Sequence, residues 1–139
     1  NLHEKAGNKN VLHLRGELLK VRSEKNENLI YPWEKDLKIG DLAEDKAQLR
    51  PNVVWFGESV PAIEEASIIF ENCDLAIVIG TSLQVYPAAG LLDFVSSSSK
   101  IYYVDPKPTD YLPQHISVFA EKASTATPKL VKQLISTYS

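Results

Sequence analysis

Three short stretches of this chain carry residue types that could handle a polar ligand. Gly80-Thr81-Ser82 joins a residue that lets backbone approach closely to two hydroxyls and their amides, which suits phosphate or ribose oxygens. Asp105 follows Gly80 at about the interval at which dinucleotide-binding folds place a ribose-binding acid. Phe56-Gly57-Glu58 is a third turn of this kind. Each has a plainer reading. Gly80-Thr81-Ser82 could be a turn with a helix cap, since no GxGxxG or P-loop is present, and Asp105 could be a turn former before Pro106. Their joint occurrence at strand ends favours a nucleotide over two unrelated turns.

The elements that must position these residues follow from the pattern around them. Residues 75–79, after Asp74, are a continuous apolar run and 101–104, after Lys100, a second one, the signature of parallel strands buried on both faces. Between them, Pro87 to Val95 reads as a helix ended by the serine run 96–99. Pro61 stands at a first helical position with Glu64 and Glu65 behind it, and Ile63, Ala66, Phe70 and Cys73 repeat at helical spacing. Residues 116–120 read as a last short strand. Thr127-Pro128 reads as the cap of a terminal helix that buries Leu130, Val131, Leu134 and Ile135. Strands alternating with helices mean a parallel sheet with right-handed crossovers, whose ligands lie at the carboxyl ends of the strands.

The first third is less regular. Residues 1–10 read as a short helix closed by Gly7-Asn8, and Val11 to Val21 as a strand bent at Gly16. Residues 22–50 are polar and mixed, an excursion with little regular structure. Tyr31 and Trp33 would give it a satellite core; stacking on a ligand is the alternative. Residues 50–58 read as another strand and turn.

Composition bounds the function. A chain of 139 residues with 44% hydrophobic content can bury one real core. Its net charge is -3 with no basic block, which argues against nucleic acid as the main partner; Lys129 and Lys132 read as a solvated helix face. No apolar run would span a bilayer and no signal peptide is visible, so no membrane partner is expected. The single cysteine, Cys73, excludes an internal disulfide and a four-cysteine zinc site, reads as a packed thiol, and is compatible with a cytoplasmic location. The opening residues are neither an initiator segment nor a tag, and Met is absent, so an upstream part is expected to be missing.

The strings Gly80 to Pro87 (GTSLQVYP), Phe56 to Pro61 (FGESVP) and Leu14 to Leu18 (LRGEL), preceded by Leu2 to Gly7 (LHEKAG), resemble the sirtuin family of NAD-dependent protein deacylases in order and spacing over nearly the whole chain. The likeness is nearest to bacterial members without zinc cysteines. It implies an α/β fold: a parallel-sheet, Rossmann-like domain, the C-terminal half of a sirtuin, formed by residues 1–21 and 51–139. Residues 22–50 would be a small irregular lobe in place of the zinc module. It implies NAD as cofactor, an acyl-lysine protein or peptide as substrate, and transfer of the acyl group to ADP-ribose with release of nicotinamide.

By the same resemblance Gly80, Thr81 and Ser82 match NAD contacts, Asp105 stands where an Asn usually holds the adenosine ribose, and Ala123 matches a backbone contact near adenine. Val54, Trp55, Phe56 and Gly57, with Leu83, Gln84 and Val85, match two segments that clasp the substrate peptide as an added strand. Glu58 supports its loop rather than touching substrate. Three departures matter. Arg15 stands where the family has its histidine base, and a guanidinium that stays protonated offers no acceptor; it could instead bind phosphate or an acyl carboxylate, or be an ordinary surface or salt-bridged Arg. His13, two positions earlier on the same expected strand, is the only candidate substitute, acting through a water; otherwise it is a packed or partly exposed strand residue. Ser23 takes the place of the first zinc cysteine, so no metal is expected and packing must hold residues 22–50. The family's Gly-Ala-Gly-x-Ser loop, flexible arginine-bearing loop and Gln-Asn-x-Asp motif belong upstream of Asn1. The main alternatives to a deacylase fragment are a non-catalytic NAD-, ADP-ribose- or peptide-binding module and a scaffold without ligand. A half-sheet with an open edge is also expected to self-associate.

Overall fold

The computed structural model describes residues 1–110 and 112–138. The chain forms two compact units, Asn1–Ala62 and Ile63–Ser139. The first groups the expected 22–50 lobe with the segments on either side of it.

In the first unit a short helix α1 (Leu2–Lys5) precedes three strands, β1 (Gly16–Ser23), β2 (Ile30–Pro32) and β3 (Leu49–Val53), in an antiparallel sheet of order β2-β1-β3. Val21, Ala43 and Leu49 are its core, and Tyr31, Trp33 and Leu37 pack against them. Tyr31 and Trp33 thus build the satellite core. Ser23 is buried at 1% exposure, and its hydroxyl donates to Asp45 Oδ2 at 2.6 Å while accepting from the amides of Lys25 and Asn26. The Ser23 hydroxyl, followed by the Ala47 amide, holds the Asp45 carboxyl below its ordinary range. The Gln48 amide adds a staple, donating to the carbonyls of Lys38, Asp41 and Leu49 and accepting from Gly40 N. Packing and a set of part-buried and exposed polar contacts tie residues 22–50 together.

Two expectations change here. The strand expected from Val11 begins at Gly16, because the chain first turns: Gly16 N donates to His13 O and Gly16 has φ +83°. A Cβ at Gly16 would lie 2.0 Å from Asn52 O, so β1 and β3 approach too closely for any other residue. In addition, β3 pairs antiparallel with β1 inside this unit, so Phe56-Gly57-Glu58 does not close a strand of the parallel sheet.

In the second unit α2 (Ile63–Glu71) leads into β4 (Leu75–Ile79). A 3₁₀ helix (Ala88–Phe94), β5 (Lys100–Val104), β6 (Ser117–Phe119) and α3 (Ala123–Tyr138) follow. The strands form a parallel sheet of order β4-β5-β6. Alternation along β5 covers both faces. Ile101 and Tyr103 join Ala76 and Ile116 in one cluster, whereas Val104 joins Ala126 and Leu130 in another, with Tyr102 packed against it. Cys73 is half-buried beside the first cluster, its thiol donating to Phe70 O, as a packed thiol should.

The terminal helix starts at Ala123, four residues before the expected cap, with Pro128 inside it. Ala126 and Leu130 are buried and Leu134 packs with them, a spacing of four that faces the sheet. Val131 and Ile135 were expected in that face but lie one position around the helix, 39% and 61% exposed.

Candidate functional site

The register of the parallel sheet fixes the site. Ile79 pairs with Val104 and Val104 with Phe119, so all three strands end at one level. The next residues are Gly80, Asp105 and the segment leading to Ala123. Gly80 N donates to Val104 O at 2.9 Å and Asp105 N to Phe119 O at 3.2 Å, which carries the ladder one step past the strands. The tips expected to lie side by side are side by side.

Gly80 turns the chain out of the sheet at φ +66°, and a Cβ built on it meets nothing within 4 Å. Open space above this backbone is what close approach of a ligand requires. Thr81 and Ser82 are exposed. The Thr81 hydroxyl accepts from Leu83 N at 3.2 Å, a local turn that brings Leu83 to φ +54°. The Asp105 carboxylate accepts from Lys107 N at 2.7 Å through Oδ1. The turn-former reading of Asp105 is therefore correct as far as it goes, and it engages one carboxylate oxygen. Ala123 is half-buried at the first turn of α3.

Tyr103 supports the Gly80-Thr81-Ser82 turn from beneath and was missed from sequence. It is fully buried, and its hydroxyl donates to Thr81 O at 2.5 Å. Burial, then the charge of Asp105, pushes the phenol above its ordinary value, while a backbone hydrogen bond at Thr109 opposes this. The phenol thus stays a donor. A tyrosine in a strand with no polar face needs such a partner, and that was the available signal.

The segment Val54–Gly57 belongs to the first unit. Glu58 organises it, accepting from Trp55 N at 2.9 Å and from Arg50 at 2.6 and 3.1 Å. The Arg50 hydrogen bonds, then the Trp55 amide, draw the Glu58 carboxyl down to about 2. Arg50 also lies 4.4 Å over the Trp55 ring. Glu58 is a loop support, as expected; Arg50, its partner, was not foreseen. Trp55 and Phe56 stay 54% and 84% exposed. In the second unit Leu83 packs against the core, while Gln84 and Val85 are exposed.

Arg15 touches the same loop. Its Nη2 donates to Val54 O at 3.1 Å, its carbonyl accepts from Val54 N, and its guanidinium lies 4.8 Å from the Phe56 ring centroid. Its side chain accepts no hydrogen bond at these contacts. His13 and Arg15 both lie in the turn before β1, so they do not share a strand face, and His13 Nε2 meets Glu4 Oε1.

The Sir2 family profile matches residues 1–87. An NAD-dependent protein deacylase of Helicobacter pylori is 54% identical over 136 residues, which cover 97% of this chain and 59% of that protein. A solved Sir2 homolog–NAD complex aligns at TM-score 0.83 and 36% identity, over 99% of this chain and 56% of the other. Sir2Tm bound to a propionylated peptide aligns at TM-score 0.77 and 27% identity, over 95% and 59% respectively. The chain spans about three fifths of the length of the curated relatives it matches.

Proposed function

This chain belongs to the Sir2 family, and from that premise we propose that it is the C-terminal part of an NAD-dependent protein lysine deacylase. The observation that carries the reading is the adjacency of Gly80-Thr81-Ser82 and Asp105 at the carboxyl ends of two neighbouring parallel strands. The residues fit NAD. Open space lies over the Gly80 backbone, exposed hydroxyls flank it, and a carboxylate on the next strand can accept from ribose hydroxyls.

NAD, when bound, supplies the ribose that receives the acyl group as nicotinamide leaves. Here Gly80 would give backbone access, Thr81 and Ser82 hydrogen bonds to oxygens, Asp105 an acceptor for the adenosine ribose, and Ala123 a backbone contact near adenine. Val54–Gly57 in the first unit and Leu83–Val85 in the second would each offer main-chain hydrogen bonds to an acyl-lysine peptide. Residues 22–50 would act, within the first unit, as a lobe that needs no zinc cysteines, and the Rossmann-like parallel sheet belongs to Ile63–Ser139. The protein would work in the cytoplasm, with neither nucleic acid nor membrane as partner. Among the described residues no helix is long and apolar enough to cross a membrane. The β4 edge carries no partner strand among the described residues, which supports self-association of the isolated chain.

One observation favours a second reading, a non-catalytic module that docks NAD, ADP-ribose or peptide. The Arg15 guanidinium, at the position that the resemblance gives to the family's base, donates to Val54 O and lies over Phe56, and it offers no acceptor. The deciding experiment is mass spectrometry for acyl-ADP-ribose, with an acyl-lysine peptide and NAD, on the full-length protein and on this chain. Product from the full-length protein alone supports the first reading. ADP-ribose binding without product in either supports the second. Product from the 139-residue chain alone overturns the assignment of Arg15.

A further inference from the structure

The side chains of Glu4, His13 and Glu17 converge within the first compact unit, on the face of α1 and the start of β1. We propose that they form a binding site for a divalent late first-row cation, of which Zn²⁺ is the natural probe. Glu4 Oε1 contacts His13 Nε2, and Glu17 Oε1 lies 3.7 Å from the same nitrogen. The three ligand atoms all fall within 4.8 Å of one another.

Hydrogen bonding accounts for the His13–Glu4 and Lys20–Glu17 contacts, and it leaves Glu17 Oε1 facing the imidazole at 3.7 Å, beyond hydrogen-bonding distance. An imidazole nitrogen carries one proton or one lone pair, so Nε2 can serve one carboxylate and not two. A cation between the three serves all of them. Glu17 is already oriented for it: its other oxygen, Oε2, accepts from Lys20 Nζ at 2.6 Å, which leaves Oε1 turned to His13. The ligands come from three supports, namely α1, the turn closed by Gly16, and β1.

One imidazole with two carboxylates suits zinc, cobalt or nickel better than calcium or magnesium. Three protein ligands would leave a position for water. Metal–ligand distances of about 2.0–2.2 Å set the ligand atoms roughly 3.5 Å apart around the ion, so Glu4 Oε1 and His13 Nε2 would separate by on the order of 1 Å while Glu17 Oε1 stays near its present distance. Glu4, at 37% side-chain exposure, has the freedom to do so. The site is unrelated to a four-cysteine module, since the single cysteine, Cys73, belongs to the other unit. A bound ion would staple α1 to β1.

The test is isothermal titration of the 139-residue chain with zinc chloride in chelator-free buffer, beside His13→Gln, Glu4→Gln and the control His115→Gln. The expected result is one ion per chain, unchanged in His115→Gln. His13→Gln and Glu4→Gln should each weaken binding by more than about tenfold, since even partners behind the ligands are worth that much. Glu4 lies on an exposed helix, so Glu4→Gln answers the question even if His13→Gln misfolds; circular dichroism checks both. No uptake by the unsubstituted chain at sub-millimolar zinc, or undiminished uptake in Glu4→Gln, overturns the proposal.

Discussion

Tyr103 and Thr81 are 22 residues apart in sequence, and the buried Tyr103 hydroxyl donates to the Thr81 backbone carbonyl at 2.5 Å. This bond links the middle of β5 to the turn that follows β4. It spans the two strands whose ends make the candidate nucleotide site, so that turn's geometry depends on the core beneath it.

Tyr103→Phe removes that bond and the phenol's hydrogen bond with the Thr109 backbone. The expected cost is about 1–2 kcal/mol, the net worth of one to two hydrogen bonds, because the exposed Thr81 turn can give its carbonyl to water. ADP-ribose affinity should fall severalfold through a looser turn. Urea denaturation and calorimetric titration measure the two effects, and a loss of stability with unchanged affinity would show that the bond does not position the site.

Two glycines should respond differently to alanine. At Gly80 nothing opposes a Cβ, so Gly80→Ala should cost only about 1–2 kcal/mol for its left-handed backbone. At Gly16 the Cβ would strike Asn52 O, and separation of β1 from β3 should unfold the first unit. Denaturation with a fluorescence probe, Trp33 and Trp55 both lying in that unit, distinguishes the outcomes.

The loop at Trp55 should loosen in acid. The Glu58 carboxyl is depressed from 4.5 to about 2, so its stabilising effect is complete above pH 4.5 and disappears as the pH falls through about 2. Glu58→Gln should reproduce the acid behaviour at neutral pH. Carboxyl titration by NMR checks the pKa, and a midpoint near 4.5 would mean that the Arg50–Glu58 pair does not persist in solution.

On the proposed function, Arg15→His would put an acceptor at the base position, while the 139-residue chain spans only about three fifths of its relatives' length. The expected outcome is turnover gained in the full-length protein and none gained in the 139-residue chain. A full-length protein already fully active with Arg15 would show that the base lies elsewhere.

The β4 edge predicts concentration-dependent association of the isolated chain. Light scattering over a wide concentration range should show dimers or larger species. A monodisperse monomer at high concentration would show that the edge is protected.

Much of the second unit was legible in the sequence. The runs 75–79 and 101–104 are apolar without interruption, which marks them as strands covered on both faces, with the glycine and acid that close them at strand ends. Local pattern sets such features because each strand's burial shows in its own residues. Pairing partners and helix phase depend on residues distant in sequence. That β3 pairs with β1 rather than with the parallel sheet was decided by the close approach of Gly16 to Asn52. That α3 turns Leu130 inward while leaving Ile135 exposed was decided by where the helix begins, at Ala123, which its apolar pattern left open. The chemistry of the side chains was fixed by their identity. Whether Arg15 meets Val54, or His13 meets Glu4, was settled only when folding brought separate segments within hydrogen-bonding reach.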